Sequence, residues 1–203
     1  MREERLLMVF AKRPEAGRVK TRLAEEVGEK KAVEIYRRLL ARTREVCLEV
    51  PVRRQAWFDG DLGEESPWGP PHFECRVQPE GDLGARMSHA FRMAEEEGPR
   101  QALLIGSDCA DLRADHLRRA FEALERHDLV LGPASDGGYW LVGARAWHPE
   151  LFRGIPWSTS DVLARTLQKA ESLGLRTRRL EELGDVDTAE NWQRARRRHD
   201  YLS

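Results

Sequence analysis

A chain of 203 residues, 40% apolar and 34% charged, has the material for a substantial core and a densely charged surface. The net charge of −1 argues against a general nucleic-acid binder, which needs a clear basic excess. The N-terminal apolar run, Leu6 to Ala11, is too short for a membrane span or a signal-peptide core.

Cys47, Cys75 and Cys109 lack metal-ligand spacing and cannot all pair, so ordinary burial in a reducing compartment is expected, with the cytoplasm as default. One domain over residues 1–203 is the expectation from length.

LLMVFA, Leu6 to Ala11, predicts a first strand buried on both faces. Lys12 to Ala24 follows as a loop broken by Pro14 and Gly17, with five basic residues: Lys12, Arg13, Arg18, Lys20 and Arg22. Lys and Arg here suit a phosphate-bearing ligand, although a solvated basic loop would look the same. The spacing fits neither a Walker loop nor a dinucleotide fingerprint.

Apolar positions at helical period predict a long amphipathic helix from Gly28 to Val50. Val52 to Phe58 predicts a second strand, and Asp59 to Pro71 a loop anchored by Trp68. His72 to Gln78 predicts a third strand. Gly81 and Gly84 then allow close backbone approach ahead of a helix ending near Glu97, with Asp82 as its cap.

QALLIGSDCADL, Gln101 to Leu112, reads as a central buried strand, Ala102 to Ile105, that delivers Asp108 and Asp111 just past its carboxyl end. Ligands of open α/β sheets bind there, so Asp108 is a candidate metal ligand. The competing expectation is a helix cap near Arg113, a role assigned to Asp111.

Ala114 to His127 predicts another helix, and Asp128 to Pro133 another buried strand. Asp136, Gly137 and Gly138 form a turn into Tyr139 to Val142, which predicts a hairpin. Ser158 to Ser160 are placed to cap the next helix, with Trp157 before them as a packing residue. Leu175 to Leu180 predicts a last strand, followed by Asp185, Asp187 and a closing helix capped by Thr188. Strands alternating with helices imply a three-layer α/β/α architecture around a mostly parallel sheet.

The basic loop, GSDCADL, ASDGGYW, IPWSTSDVL and DVDTAENW occur in this order from Phe10 to Trp192. Together they resemble a family of small bacterial GT-A-type transferases, long labelled a domain of unknown function and often described as glycosyltransferases. More remotely, the set resembles the guanylyltransferases of molybdenum-cofactor and deazaflavin-precursor synthesis. The chain departs from the family pattern at Ala110 and Ala16, where proline is usual; neither change removes a charged ligand.

The resemblance implies a nucleotide-diphospho-sugar transferase fold, Rossmann-like, with one antiparallel strand in a mixed sheet. It implies that Lys20 and Arg22, with Lys12 and Arg18, hold donor phosphates. It implies Mg²⁺ or Mn²⁺ on Asp108 and Asp187. Gln78, Gly84 and Arg86 would lie beside the nucleobase or sugar. Asp136, Gly137 and Gly138 would line the acceptor side, with Trp157 and Ser158 near it.

The partners implied are a nucleotide donor and a small-molecule acceptor, with no nucleic acid or membrane. The oligomeric state stays open, a homodimer included. The cationic loop favours nucleotidyl transfer from a triphosphate to a phosphorylated acceptor, with pyrophosphate leaving. Glycosyl transfer with Asp136 as base is the alternative, and a non-catalytic nucleotide-binding protein a third.

Overall fold

The computed structural model describes residues 4–61 and 66–202; the middle of the expected Asp59–Pro71 loop, 62–65, lies outside them. Seven strands form one sheet in the order β3-β2-β1-β4-β6-β5-β7. These are β1 (Arg5–Ala11), β2 (Arg53–Phe58), β3 (Glu74–Val77), β4 (Gln101–Ile105), β5 (Leu129–Pro133), β6 (Tyr139–Ala144) and β7 (Thr177–Arg179). Among the described strands, β6 alone runs antiparallel to its neighbours, β4 and β5, because the Asp136–Gly138 turn folds it straight back. No helix among the described residues is long and apolar enough to cross a membrane.

β1 and β4 pair in parallel at the centre, Leu6 opposite Ala102 and Val9 opposite Ile105. Alternate residues point to opposite faces. Leu7, Val9, Leu103 and Ile105 therefore join Tyr36 and Leu40 of α2 (Glu29–Leu48) and Phe121 of α4 (Ala114–Leu124). Leu6, Met8 and Leu104 join Met87 and Phe91 of α3 (Leu83–Glu97) and Ala170 of α5 (Val162–Ser172) on the other face. Burying each such side chain is worth roughly 1.5–3 kcal/mol before entropy is counted.

The chain winds from β1 outward to β2 and β3, then returns across β1 to β4. The loops after β1 and β4 therefore stand side by side beyond the carboxyl ends of the central strands, where the strand order reverses, and both border a crevice. Such a switch point is where ligands of open α/β sheets bind.

Several expectations shift. The basic loop ends at Lys20, because Thr21–Val27 forms a short helix, α1, stopped by Gly28 at φ 83°. Asp111 does not cap α4; Arg113 occupies that position. Asp111 instead accepts from His199 Nε2 at 2.6 Å and pairs with Arg198 at 3.1 Å. Ser158–Ser160 do not cap α5, whose N-cap is Asp161. Cys47 and Cys109 are buried, but Cys75 is exposed because β3 is an edge strand. Thr188 does cap α6 (Ala189–Arg198), accepting from Asn191 N.

A third apolar cluster gathers Leu23, Ala32, Ile35, Leu39, Ala110, Val186, Ala189, Ala195 and Leu202. Leu23 follows Lys20 by one helical turn, Ala110 lies just past Asp108, and Val186 adjoins Asp187. Three charged residues far apart in the chain thus share one small hydrophobic footing.

Candidate active site

The crevice at the β1/β4 switch point opens into a cleft of about 490 Å³. The loop beyond β7 reaches it by running alongside β5 and the hairpin. Leu183 N donates to Pro133 O at 3.1 Å, and Ser135 N to Leu183 O at 3.2 Å. The chain then crosses to the loop after β4, where Val186 N donates to Asp108 O at 3.0 Å and Cys109 bridges Asp185. Asp187 is carried beside Asp108 by this backbone pairing.

Between the two carboxylates lies Lys20. Its Nζ is 2.7 Å from Asp187 Oδ1 and 2.9 Å from Asp108 Oδ2. The Lys20 side chain is 3% exposed, whereas those of Asp108 and Asp187 are 40% and 43% exposed. The carboxylates therefore front the cleft and the ammonium backs them. Burial alone would lower the Lys20 pKa, but the charges of Asp108 and Asp187 overcome it and hold the group above the ordinary lysine value.

Lys20 is left-handed, φ 49° and ψ 44°. A non-glycine residue there costs on the order of 1–2 kcal/mol, and the ion pairs fix its side chain inward.

Asp185 also lines the cleft. Burial, then the negative charge of Asp108, pushes its carboxyl up to about 7, with Asp187 and Asp136 adding to this and Lys20 opposing it. Asp108 Oδ1 accepts from Ser107 Oγ at 3.3 Å. Ser107 Oγ in turn lies 3.0 Å from Tyr36 Oη, which accepts from Lys12 N at 2.9 Å. This chain of contacts ties the β1 loop to the β4 loop.

Of the anticipated site residues, Lys12, Lys20, Arg22, Gln78, Arg86, Asp108, Asp136, Gly138, Trp157, Ser158 and Asp187 all line this one cleft. Arg18, Gly84 and Gly137 are not among its lining residues. Arg18 is neutralised by Glu15 at 3.1 Å and Asp59 at 3.2 Å. Arg13 is likewise held, 3.3 Å from Glu15. Among the described residues, the exposed Lys12 and Arg22 and the half-buried Arg86 have no carboxylate partner, so they carry the free positive charge of the cleft.

Gln78 is occupied structurally: its Nε2 donates to Ala11 O and Trp57 O, each at 2.9 Å. Arg86 reaches its Oε1 at 3.4 Å.

Gly84 and Gly137 shape the walls. A Cβ on Gly84 would sit 2.4 Å from the Trp157 indole nitrogen, so glycine lets that ring close on α3. Trp157 also meets Tyr139 edge-on at 6.4 Å. Gly137, at φ 88°, would drive a Cβ to 2.2 Å from Ser160 O, and its own carbonyl accepts from Leu163 N at 2.9 Å. The hairpin turn and the start of α5 are thereby locked together, and Asp136 is steadied by accepting from Gly138 N at 2.9 Å.

Asp185, Tyr36 and Ser107 were not anticipated at the site. Asp185 carried a usable signal: it alternates with Asp187 around apolar Val186, as strand residues do. Tyr36 and Ser107 carried none, since a helix-face tyrosine and a turn serine have ordinary structural roles.

The family model described as "Uncharacterized protein conserved in bacteria (DUF2064)" matches residues 37–159. No curated protein matches the sequence. A solved structure from Desulfovibrio desulfuricans G20, provisionally described as a nucleotide-diphospho-sugar transferase, is 33% identical with TM-score 0.83, covering 91% of this chain and 83% of that one.

CMP:2-keto-3-deoxy-manno-octonic acid synthetase, solved with CTP, shares the fold at 11% identity and TM-score 0.60, covering 96% and 97%. Rv0371c from Mycobacterium tuberculosis H37Rv shares it at 17% identity and TM-score 0.59, covering 96% and 98%. That protein has also been solved in complex with manganese, in a structure 14% identical with TM-score 0.50 that covers 95% of this chain and 97% of that one.

Proposed function

Because this chain belongs to the DUF2064 family, on a nucleotide-diphospho-sugar transferase fold, we propose that it is a divalent-metal-dependent transferase using a nucleotide donor. Its reaction is nucleotidyl transfer from a nucleoside triphosphate to a phosphorylated small molecule. One observation carries this reading: Asp108 and Asp187 converge on one lysine in a cleft whose rim holds the unpaired Lys12 and Arg22.

The donor set fits Mg²⁺ or Mn²⁺. Asp108 and Asp187 offer hard carboxylate oxygens, each side chain well exposed to the cleft. No group of three or more His, Cys, Asp and Glu among the described residues could hold a metal. Water and donor phosphates would therefore complete the shell, as Mg²⁺ prefers. When bound, such an ion supplies Lewis-acid stabilisation of charge on the phosphates.

Lys12, Lys20 and Arg22 would neutralise and orient the triphosphate. Positioning and electrostatics of this kind suffice for phosphoryl chemistry, without a protein nucleophile. An acceptor phosphate oxygen attacks the α-phosphorus, the bond from that phosphorus to the β-phosphate bridging oxygen breaks, and pyrophosphate leaves. Trp157 and Tyr139 would form the acceptor wall, and Arg86 would face the nucleobase or sugar.

The description of the Desulfovibrio protein favours a second reading, glycosyl transfer from a nucleotide sugar. Asp136, exposed on the cleft, would then be the base that takes the acceptor proton.

One assay separates the two. With Mn²⁺ or Mg²⁺ and a panel of phosphorylated acceptors, pyrophosphate release from a nucleoside triphosphate is the expected result. Release of nucleoside diphosphate from nucleotide sugars instead would move the assignment to glycosyl transfer. Binding of nucleotide with no turnover of either donor class would leave a non-catalytic nucleotide-binding protein.

A further inference from the structure

Lys20 is unusual among the cationic residues of the cleft in being buried and claimed by two carboxylates. Lys12 and Arg22 are exposed on the rim, but the Lys20 side chain is 3% exposed and its Nζ sits within 2.9 Å of both proposed metal ligands. Each carboxylate gives one oxygen to it: Asp108 Oδ2 and Asp187 Oδ1. With Lys20 in place the three groups sum to one negative charge.

A divalent cation drawing on the same carboxylates would bring that sum to one positive charge, with the two positive centres close together. Like charges at such range oppose one another strongly in a partly desolvated site. Donor phosphates would reverse the balance, giving the ammonium an alternative anionic partner.

The residue type suits an exchange. A lysine ammonium is a compact charge on a flexible stem with rotatable donors, whereas an arginine fork would be committed to one geometry. The left-handed backbone at Lys20 stands at the junction of the loop and α1, where the stem enters the wall.

We infer that Lys20 is a resident counter-cation that makes metal entry conditional on the donor. A free divalent ion competes poorly against it. A polyphosphate draws the ammonium from Asp108 and Asp187, and metal and donor bind as a coupled pair. By linkage, each raises the affinity of the other by the same factor. The inference rests on the reading of Asp108 and Asp187 as metal ligands, and its test can fail separately from that reading.

The test is Mn²⁺ binding, followed by the electron paramagnetic resonance of free Mn²⁺, for the full chain as wild type, Lys20→Met, Lys20→Gln and Asp108→Asn, without nucleotide. Circular dichroism and melting temperature report folding. Both Lys20 variants should bind Mn²⁺ alone about tenfold or more tighter than wild type, a shift within the usual range for coupled sites. Asp108→Asn should bind it more weakly than wild type.

In a parallel thermal-shift arm, tripolyphosphate and Mn²⁺ together should stabilise wild type by more than the sum of their separate effects. That excess should shrink in Lys20→Gln. Equal or weaker Mn²⁺ binding by the Lys20 variants overturns the inference and makes Lys20 a fixed structural ion pair. If Asp108→Asn still loses affinity, the metal-ligand reading survives that result. No Mn²⁺ binding by any form, with or without tripolyphosphate, overturns both. Failure of both Lys20 variants to fold even with Mn²⁺ present also defeats the exchange, because the metal then cannot replace the ammonium.

Discussion

Replacing Asp108 by asparagine should lower transfer by about 10²- to 10³-fold with the fold intact, the usual cost of losing one preorganised charge-stabilising group. The substitution keeps size and shape but removes one of the two carboxylate charges facing the cleft. Its stability cost is small. Asp108 is 40% exposed, the asparagine oxygen can still accept from the buried Lys20 ammonium, and Asp187 keeps its charge 2.7 Å from it. Turnover with saturating donor and an unfolding curve measured on one preparation check both halves. An asparagine variant with full turnover would mean that Asp108 does not touch the reacting phosphates or their metal.

Leu23→Ala should cost on the order of 2–5 kcal/mol, the range for emptying a buried leucine site. Leu23 is 0% exposed. For a chain of this length each kcal/mol lowers the melting temperature by roughly 2–4 °C. The same change should also weaken Mn²⁺ and donor binding, because Leu23 packs with Ala110 and Val186 in the small cluster beneath Lys20, Asp108 and Asp187.

Leu129→Ala is the control. Leu129 is equally buried but belongs to the cluster on the α3/α5 face. It should lose comparable stability while leaving Mn²⁺ affinity close to wild type. Equal effects of the two variants on Mn²⁺ affinity would show that the cluster under the charged residues has no special positioning role.

What was legible in the amino acids is what short stretches specify. Continuous apolar runs announced β1, β4 and β5, and Asp136-Gly137-Gly138 announced the turn into the antiparallel β6. Asp108 stood out because a strand end beside a Gly-Ser turn has a known geometric meaning. The alternation of Asp185 and Asp187 around Val186 hints at a strand, but the segment it pairs with depends on where the chain goes after β7.

Charge neutralisation was also invisible. The loop after β1 looks strongly cationic, yet Arg18 is paired with Asp59 from beyond β2. Asp111 looked like a cap and is instead claimed by His199 and Arg198 at the far end of the chain. Helix α1 was hidden because its seven residues are too few for a periodic pattern to register. The resemblance assigns Lys20 to the donor phosphates, but nothing in the sequence foretells its enclosure between Asp108 and Asp187.

Crystallography with metal and donor both bound distinguishes these arrangements. Crystals of the full chain would be grown with Mn²⁺ and a non-hydrolysable nucleoside triphosphate, and the manganese located by its anomalous signal. One peak bonded to an oxygen of Asp108, an oxygen of Asp187 and the triphosphate, with Lys20 Nζ moved onto a phosphate oxygen, is the predicted result. Manganese and nucleotide held elsewhere, with Lys20 still clasped between the two carboxylates, would show that Asp108 and Asp187 bind no catalytic metal.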